Sequence, residues 1–253
     1  MTQSAFVIGP GEVGRRLGGA LESQQWQVTT VRRNDGWDAA TAATDGPRLL
    51  CMREEDIVAA FGRFSAQQRS STVLVQNGFL EAGIPATDLA GTTRGLIWFT
   101  SKGDFYLPLR TSVLFGPWAN ALAEAFNQAG VPFEVSADES AFLRDMIIKG
   151  FWNTVVGLPL AVHGVDLGTY LADFGDEIEQ LAHESVTACA PEYGVEVAVS
   201  DALSTLHETT TELGWVKTSA AKALDWRNGA VAAFGRKHGV PTPVNDRLLA
   251  AGS

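Results

Sequence analysis

The sequence predicts an α/β protein in which a doubly wound parallel sheet is followed by an all-helical C-terminal domain. The first observation is an alternation of short apolar strands with helical segments, which is typical of such a sheet. The second is a glycine-rich turn directly after the first strand. The third is that strand signals stop near residue 136, after which apolar residues recur at helical spacing. We therefore predict a sheet domain over residues 1–136 and a helical domain over residues 137–253.

The glycine turn follows a first predicted strand, Ser4 to Ile8, and opens a helix. Its glycines have the G-x-G-x-x-G spacing, which lets backbone N–H groups and a helix N-terminus approach a pyrophosphate. A second strand, Gln27 to Val31, follows at the distance expected of a Rossmann βαβ unit, whereas a purely structural glycine turn needs no such context. The residues predicted to bind a dinucleotide here are Gly9, Pro10, Gly11, Glu12, Val13 and Gly14.

Arginine follows the second strand, at Arg32 and Arg33. An acidic residue at this point binds the ribose 2′-hydroxyl of NAD, whereas an arginine suits the 2′-phosphate of NADP. The pair therefore favours NADP(H). The alternative is a solvated arginine pair at a strand end.

The remaining strands are predicted at Arg48 to Met52, Thr72 to Val75, Leu96 to Thr100, Ser112 to Phe115 and Phe133 to Val135. Arg53 and Asn77 directly follow two of them. Ligands of doubly wound sheets bind outside the carboxyl ends of the strands. Both side chains are therefore candidates for the ligand site.

The helical half is predicted to open with a long apolar helix from Asp138 to about Val162, followed by helices over 174–193, 200–213 and from 217 or 222 to 238. Within the first helix, Lys149 and Asn153 are four residues apart and share a face. Burial among apolar side chains lowers the pKa of a lysine, which would suit Lys149 to donate a proton. The alternative is a lysine that covers apolar surface and extends its ammonium to water.

Composition excludes several other classes of protein. A net charge of -10 opposes binding to nucleic acid, and no apolar run is long enough for a membrane span or a signal peptide. Two cysteines far apart in sequence, Cys51 and Cys189, fit a reducing cytoplasm. The histidines lack metal-ligand spacing, which predicts no metal site; His163 alone follows the Lys149 helix and could approach a site there.

Over nearly its whole length the chain resembles ketopantoate reductase, also called 2-dehydropantoate 2-reductase. The resemblance rests on the glycine turn, Arg32, Arg53 in place of a usual lysine, Gln76-Asn77-Gly78, the Lys149 and Asn153 pair, Asp225-Trp226-Arg227-Asn228-Gly229, and the run from His238 to Asn245. It implies a Rossmann domain that binds NADPH, a helical domain for substrate binding and dimerisation, and reduction of a 2-keto acid where the two meet. Lys149 would be the general acid, Asn77 would lie beside the nicotinamide, Asn153 would help hold the substrate, and Arg32 with Arg53 would bind the 2′-phosphate.

The chain departs from that family at two substrate positions. Gly157 stands where the family has a second asparagine, and Ala223, within Lys222-Ala223-Leu224-Asp225, stands where it has a glutamate. The family's Ser-Ser-Met segment is represented only by Thr218-Ser219-Ala220. Because hydrogen-bonding sites are the selective ones, we expect a bulkier or less polar carbonyl or imine substrate and not ketopantoate itself. The alternative is an NADP(H)-binding sensor that has lost catalysis.

Overall fold

The computed structural model describes residues 3–42, 45–218 and 223–252. The chain divides into two compact units. The N-terminal unit comprises Met1–Gln76 and Gly83–Phe142, and the C-terminal unit comprises Asn77–Ala82 and Leu143–Ser253. The short segment after Gln76 thus belongs to the C-terminal unit, although it interrupts the N-terminal one in sequence. The assignment of residues 1–136 to nucleotide binding and 137–253 to substrate binding and dimerisation stays a prediction.

The described part of the N-terminal unit contains one large and one small β-sheet. The strands are β1 (Ser4–Ile8), β2 (Gln27–Val31), β3 (Arg48–Leu50), β4 (Thr72–Gln76), β5 (Thr93–Leu96), β6 (Phe99–Lys102), β7 (Phe105–Pro108), β8 (Ser112–Phe115) and β9 (Phe133–Val135). Seven of them form a sheet in the order β2-β1-β3-β4-β5-β8-β9, and β6 pairs with β7. The pairs from β2 to β5 are parallel, β5 and β8 are antiparallel, and β8 and β9 are parallel. The predicted α/β class is confirmed.

The strand order reverses at β1, which has β2 on one side and β3 on the other. In open α/β sheets the ligand crevice lies outside the carboxyl ends of the strands at such a reversal. The glycine turn leaves β1 at that end. Topology therefore places this turn where a ligand is expected.

The predicted strand from Leu96 to Thr100 is wrong, because the chain there belongs to two strands. β5 ends at Leu96 and β6 begins at Phe99, and β6 and β7 form a hairpin whose turn contains Gly103 at φ +59°. A continuous apolar run carries no periodicity that marks such a break. β5 begins at Thr93, earlier than predicted, because polar residues do not signal a buried strand. Thr93 is nevertheless buried, and its Oγ1 accepts a hydrogen bond from Trp118 N–H at 2.9 Å.

Helices cover the sheet of the N-terminal unit. They are α1 (Glu12–Ser23), α2 (Gly36–Thr41), α3 (Glu54–Phe61), α4 (Ala66–Ser70), α5 (Ala86–Leu89) and α6 (Ala119–Gln128). Leu17 and Leu21 of α1 share a buried cluster with Leu49 of β3 and with Leu122 and Phe126 of α6. Apolar residues recur three and four positions apart on these helices, so that one stripe packs against the sheet.

The described part of the C-terminal unit is helical apart from its loops. The helices are α7 (Glu139–Val155), α8 (Leu158–His163), α9 (Leu167–Asp173), α10 (Gly175–Tyr193), α11 (Val199–Thr210), α12 (Asn228–His238) and α13 (Pro243–Ala251). The first residues of α7 belong to the N-terminal unit. An all-helical second half was predicted, and α9 and α13 were not.

Proline explains two errors in the predicted helices. The long helix predicted to reach Val162 breaks after Val155, because Pro159 lacks an N–H and its ring would collide with the carbonyl four residues earlier. Pro159 instead lies in the first turn of α8, and Pro243 in the first turn of α13. A missing N–H costs nothing at a helix start. The segment from Pro243, for which no helix is predicted, therefore begins a new helix. The alternative start of α12 at Lys222 lies outside the described residues.

No single helix in the described ranges combines the length and the apolar character that a membrane crossing needs. Segments 139–163 and 167–173 reach that length and apolar character only when they are taken together, and a 92° bend separates them.

Candidate functional site

The glycine turn of the N-terminal unit is shaped by backbone constraints. Gly9 has φ +82°, a conformation that side chains rarely adopt. A Cβ on Gly14 would lie 2.6 Å from the carbonyl oxygen of Gly9, so only glycine fits there. Gly11, by contrast, has no heavy atom within 4 Å of its Cβ position and caps α1 without a side-chain hydrogen bond. The first N–H groups of α1 are therefore presented at an open turn, as an anion-binding helix start requires.

Glu12 and Val13, predicted to contact the cofactor, have partners within the N-terminal unit. The Glu12 carboxylate accepts a hydrogen bond from Gly103 N–H at 2.9 Å and pairs with Arg15. Val13 packs against the buried cluster. Glu12 thus fastens the β6–β7 turn to the start of α1, and any contact of these two side chains with a cofactor stays a prediction.

A groove of about 370 Å³ runs beside the glycine turn to the end of β2. Its lining consists of Pro10, Gly14, Arg15, Gly18, Gly19, Glu22, Thr30 and Arg32. Arg32 is exposed, and its backbone N–H donates to the Asp35 carboxylate at 2.7 Å. Within the described ranges its guanidinium forms no ion pair, whereas Arg33 lies 3.5 Å from Asp56. The groove thus brings Arg32 to the glycine turn, as a dinucleotide site requires.

Arg15 lines this groove, whereas Arg53, which the sequence predicts to bind the 2′-phosphate, does not. Arg53 caps the start of α3, is largely exposed and lies 3.9 Å from Glu55. Arg15 was not predicted from the sequence. Its position directly after Gly14, the last glycine of the turn, could have indicated it.

Lys149 lies in α7 within the C-terminal unit and is only 4% exposed. Its Nζ lies 4.0 Å from the centroid of the Trp152 ring. Burial, and secondly the positive charge of Arg227, hold the Lys149 pKa well below its ordinary value of 10.5. The predicted apolar environment and lowered pKa are both present, and the alternative of an ammonium extended to water does not fit this burial.

Asn153 is 4% exposed and holds backbone in place. Its side-chain N–H groups donate to the carbonyl oxygen of Lys149 at 3.0 Å and to that of Asn77. Two carbonyl acceptors fix the orientation of the amide, which leaves its oxygen as an acceptor. The structure thus brings Asn77 to the Lys149 and Asn153 pair, which was proposed from a separate part of the sequence.

The segment 77–82 is held against α7 through Phe79. A Cβ on Gly150 would overlap the Phe79 ring, so glycine at 150 lets this ring lie on the helix. Phe79 N–H donates to the Trp226 carbonyl at 2.9 Å, and its ring packs with Tyr193 and Phe234. Sequence reasoning missed Gly150 and Phe79, since no pattern in the sequence pairs them. They fix Asn77 beside Asn153.

Arg227 is the charged neighbour of this cluster that sequence reasoning left without a role. It caps the start of α12 and is half-buried. Its Nη1 lies 3.9 Å from the Cβ position of Gly157, where the resemblance expects an asparagine. Ala223, where the resemblance expects a glutamate, adopts φ +53° and supplies no carboxylate. Ser219, Ala220 and Lys222, which belong to the same departures, lie outside the described residues.

His163 belongs to a different polar cluster. Its ring nitrogen lies 2.9 Å from the Glu177 carboxylate, which also accepts from the Tyr170 hydroxyl and from Arg247. The His163 ring packs on Phe174 with centroids 4.3 Å apart. These contacts join α8, α9, α10 and α13. Among the described residues no three histidine, cysteine or acidic side chains are placed to hold a metal ion.

These features define a chain with a Rossmann-type N-terminal unit, whose glycine turn is open to an anion, and a helical unit with a buried lysine. The chain has the fold of a ketopantoate reductase from Ralstonia eutropha, with 18% identity, a TM-score of 0.77 and coverage of 98% of this chain and 96% of that one. A dimeric ketopantoate reductase from Staphylococcus aureus is similar at 14% identity and a TM-score of 0.75, over 98% and 96% of the two chains.

A ternary structure of D-mandelate dehydrogenase with NADH and anilino(oxo)acetate shares the fold too, at 14% identity and a TM-score of 0.71, over 99% of this chain and 96% of that one. No protein-family model and no curated protein matches the chain. The resemblance to the ketopantoate reductase fold is therefore confirmed by structures and not by sequence similarity.

Proposed function

We propose that this protein is an NADPH-dependent reductase that transfers hydride to a 2-keto acid or a related carbonyl or imine. The observation that supports it most directly is the buried Lys149, held beside Asn153 and Asn77 in a chain that also carries a dinucleotide turn. The names of the similar structures agree, because they are ketopantoate reductases and a dehydrogenase bound to NADH and an oxoacetate.

The residues of the N-terminal unit fit a dinucleotide. The open turn at Gly11 would receive the pyrophosphate, and Arg32 would bind the 2′-phosphate at the end of the groove. Arg53 stays the second arginine predicted for the 2′-phosphate, and Arg15, which lines the groove, is a further candidate for a phosphate contact. Replacing Arg32 with alanine should weaken NADPH binding about tenfold or more, because a charge-assisted contact is lost, and should leave NADH binding nearly unchanged. Equal affinities of the unmodified protein for NADPH and NADH would contradict the NADP assignment.

NADPH, when bound, supplies the hydride, and the side chains of this chain supply the proton and the positioning. Lys149 would donate a proton to the carbonyl oxygen as the hydride reaches the carbonyl carbon, giving an alcohol and leaving a neutral amine that solvent reprotonates. A lowered pKa suits this role because an acid works best when its pKa is near the working pH. Asn153 would keep the lysine's own turn of helix and the Asn77 backbone in place through its two hydrogen bonds.

A screen of NADPH oxidation across 2-keto acids, ketones and cyclic imines tests the proposal. With any substrate that is consumed, Lys149→Ala should lower kcat by about 10²- to 10⁴-fold. The Kd for NADPH should stay within about twofold, because a general acid takes part in proton transfer and not in nucleotide binding. Arg144→Ala, at an exposed position of the same helix, is the control. Unchanged activity of Lys149→Ala would refute the role of the lysine.

Two finer parts of the proposal follow from the departures at Gly157 and Ala223. Both remove a polar group from the substrate positions of the resemblance, so we expect ketopantoate to be a poor substrate. Robust turnover of ketopantoate would contradict this. If NADPH binds and no carbonyl or imine is consumed, the chain is better described as an NADP(H)-binding sensor.

The protein is also proposed to be a homodimer through its helical unit, as one of the similar ketopantoate reductases is dimeric. Light scattering coupled to size exclusion measures its mass directly. A mass near 27.0 kDa, that of one chain, would contradict the proposal.

A further inference from the structure

We propose that Glu184, Asn245 and Asn228 are positioning residues that hold the end of α7, the helix that carries Lys149 and Asn153. The three side chains lie on α10, α13 and α12 and are 7%, 0% and 1% exposed. The inference rests on the proposed reductase function for its effect on catalysis. Its structural part rests on hydrogen bonds within the C-terminal unit, and the proposed reaction gives none of the three side chains a role.

Asn228 caps the end of α7. The helix ends at Val155, and the last carbonyl groups of a helix have no partner within it. One of these, the carbonyl of Thr154, accepts a hydrogen bond from the Asn228 side-chain amide at 3.4 Å. Thr154 directly follows Asn153 in the chain. The cap therefore acts on the turn of helix that holds the Asn153 side chain.

Glu184 determines which way the amides of Asn245 and Asn228 point. At the start of α13 its carboxylate accepts from the backbone N–H groups of Val244 at 2.7 Å and Asn245 at 2.9 Å. It also accepts from the Asn245 side chain at 2.8 Å. An ionised carboxylate accepts hydrogen bonds and donates none. Asn245 must therefore turn its NH₂ group to Glu184 and its oxygen to Asn228, which donates to that oxygen at 3.0 Å. This direction leaves the NH₂ group of Asn228 facing the carbonyl at the end of α7.

The start of α12 also holds the other partner of Asn153. The Trp226 carbonyl accepts from Phe79 N–H at 2.9 Å, and the Asn77 carbonyl accepts from the Asn153 side chain. The contacts form a closed ring, which starts and ends on α7 and passes through Asn153, Asn77, Phe79, Trp226 and Asn228. Hydrogen bonds joined in a network are worth more together than singly. Asn228 closes the ring, so its loss frees the end of α7.

The end of α7 matters for the reaction because Asn153 and Lys149 lie one turn apart on it. Asn153 donates to the Lys149 carbonyl at 3.0 Å, so a shift of this last turn is passed to the backbone that carries the lysine. A displacement of about 1 Å at a reacting group can lower a rate by about 10²-fold. Glu184, Asn245 and Asn228 act on the reaction through this helix, and they serve to orient the general acid.

The first test removes the cap. Asn228→Leu keeps nearly the same size and takes away the amide. Asn127→Leu is the matched control, because Asn127 likewise makes two side-chain hydrogen bonds, both to the backbone of Phe133 at 2.8 Å, within the N-terminal unit. Both variants thus lose the same number of hydrogen bonds, and only Asn228→Leu loses one to α7.

The second test reverses the direction of the chain of hydrogen bonds. In Glu184→Gln an NH₂ group faces Asn245, which must then turn over and reverse the amide of Asn228 in turn. Glu192→Gln is the matched control, because Glu192 lies on the same helix and its carboxylate binds two side chains at the end of α12. The two variants change the same charge, and only Glu184→Gln changes the contacts that lead to α7.

Two properties of the full-length protein are measured: hydrogen exchange by mass spectrometry in segments 152–157 and 77–82, and NADPH oxidation with a substrate found in the screen. Asn228→Leu and Glu184→Gln should each speed exchange in both segments by about tenfold. They should lower kcat by about 10- to 100-fold and leave the Kd for NADPH within about twofold, because nucleotide binding belongs to the N-terminal unit. Both controls should leave exchange in these segments and kcat unchanged.

A purely structural role predicts a different result. Lower thermal stability of Asn228→Leu and Glu184→Gln with unchanged exchange in the two segments would overturn the inference, and so would faster exchange with an unchanged kcat. Thermal unfolding shows whether each variant is folded. If Asn228→Leu is not, Glu184→Gln is judged by the same criterion.

The two proposals fail in different ways. Faster exchange at the end of α7 in both variants, in a protein that consumes no carbonyl or imine, would refute the reductase and keep the three residues as the support of this helix. Substrate turnover that neither variant alters, with unchanged exchange, would keep the reductase and refute the positioning role.

Discussion

Replacing Lys149 with methionine should stabilise the protein near neutral pH, and the gain should shrink as the pH rises. Methionine keeps the unbranched shape of the side chain and removes the ammonium. Lys149 is 4% exposed, and burial followed by the charge of Arg227 lowers its pKa well below 10.5. The folded protein therefore disfavours the protonated lysine, whereas the unfolded chain holds it at the ordinary pKa.

The sign of the effect follows from proton linkage. Between the lowered folded-state pKa of Lys149 and 10.5, the unfolded state binds more protons than the folded state, so the stability of the unmodified protein rises with pH. The cost of burying the ammonium is full below the folded-state pKa and is gone above 10.5. Each unit by which the pKa is lowered corresponds to about 1.4 kcal/mol. The ring of Trp152, 4.0 Å from Nζ, opposes this cost by about 0.5–2 kcal/mol.

The assay is chemical denaturation of both proteins at a series of pH values from neutrality to about 10.5. Subtracting the free energy of unfolding of the unmodified protein from that of Lys149→Met at each pH cancels all other titrating groups. The difference should be largest at neutral pH and should decline toward alkaline pH by about 1.4 kcal/mol for each unit of lowered pKa. A difference that does not vary with pH would refute the lowered pKa and with it the proposed acid role.

Three further outcomes are expected. Gly14→Ala should abolish or strongly reduce nucleotide binding measured by calorimetry, because the new methyl group collides with backbone, whereas Gly62→Ala, whose Cβ would make an ordinary 3.5 Å contact, should bind normally; equal affinities would contradict the tight-turn geometry. Gly150→Ala should cost about 1–3 kcal/mol in the free energy of unfolding through overpacking against Phe79, and Phe79→Leu should restore part of it; no loss on denaturant titration would mean that the ring does not rest on this helix. Arg227→Met should raise the pKa at the alkaline limb of the kcat/KM profile, because a positive neighbour of the buried lysine is removed; an unmoved limb would contradict the coupling of the two charges.

Local patterns predicted the elements whose signals are contained in a few neighbouring residues. The glycine turn, the first two strands and the burial of Lys149 follow from periodicity and from the steric freedom of glycine. Local patterns did not predict the break after Val155 or the helix that begins at Pro243. A proline ends one helix or begins another according to which turn of the helix it occupies. The division of Leu96 to Thr100 between two strands was equally hidden, because a buried apolar run looks the same in one strand or two.

The sequence by itself determined the class of the fold, the glycine turn and the proposed acid Lys149, because each is expressed by residues close together in the chain. Only the tertiary structure decided which distant residues lie together. It placed Asn77 on Asn153 through the fit of Phe79 against Gly150, and it set Arg227 beside Gly157 and near Lys149. Such contacts depend on the packing of helices and loops that are remote in sequence, and neither periodicity nor composition carries that information.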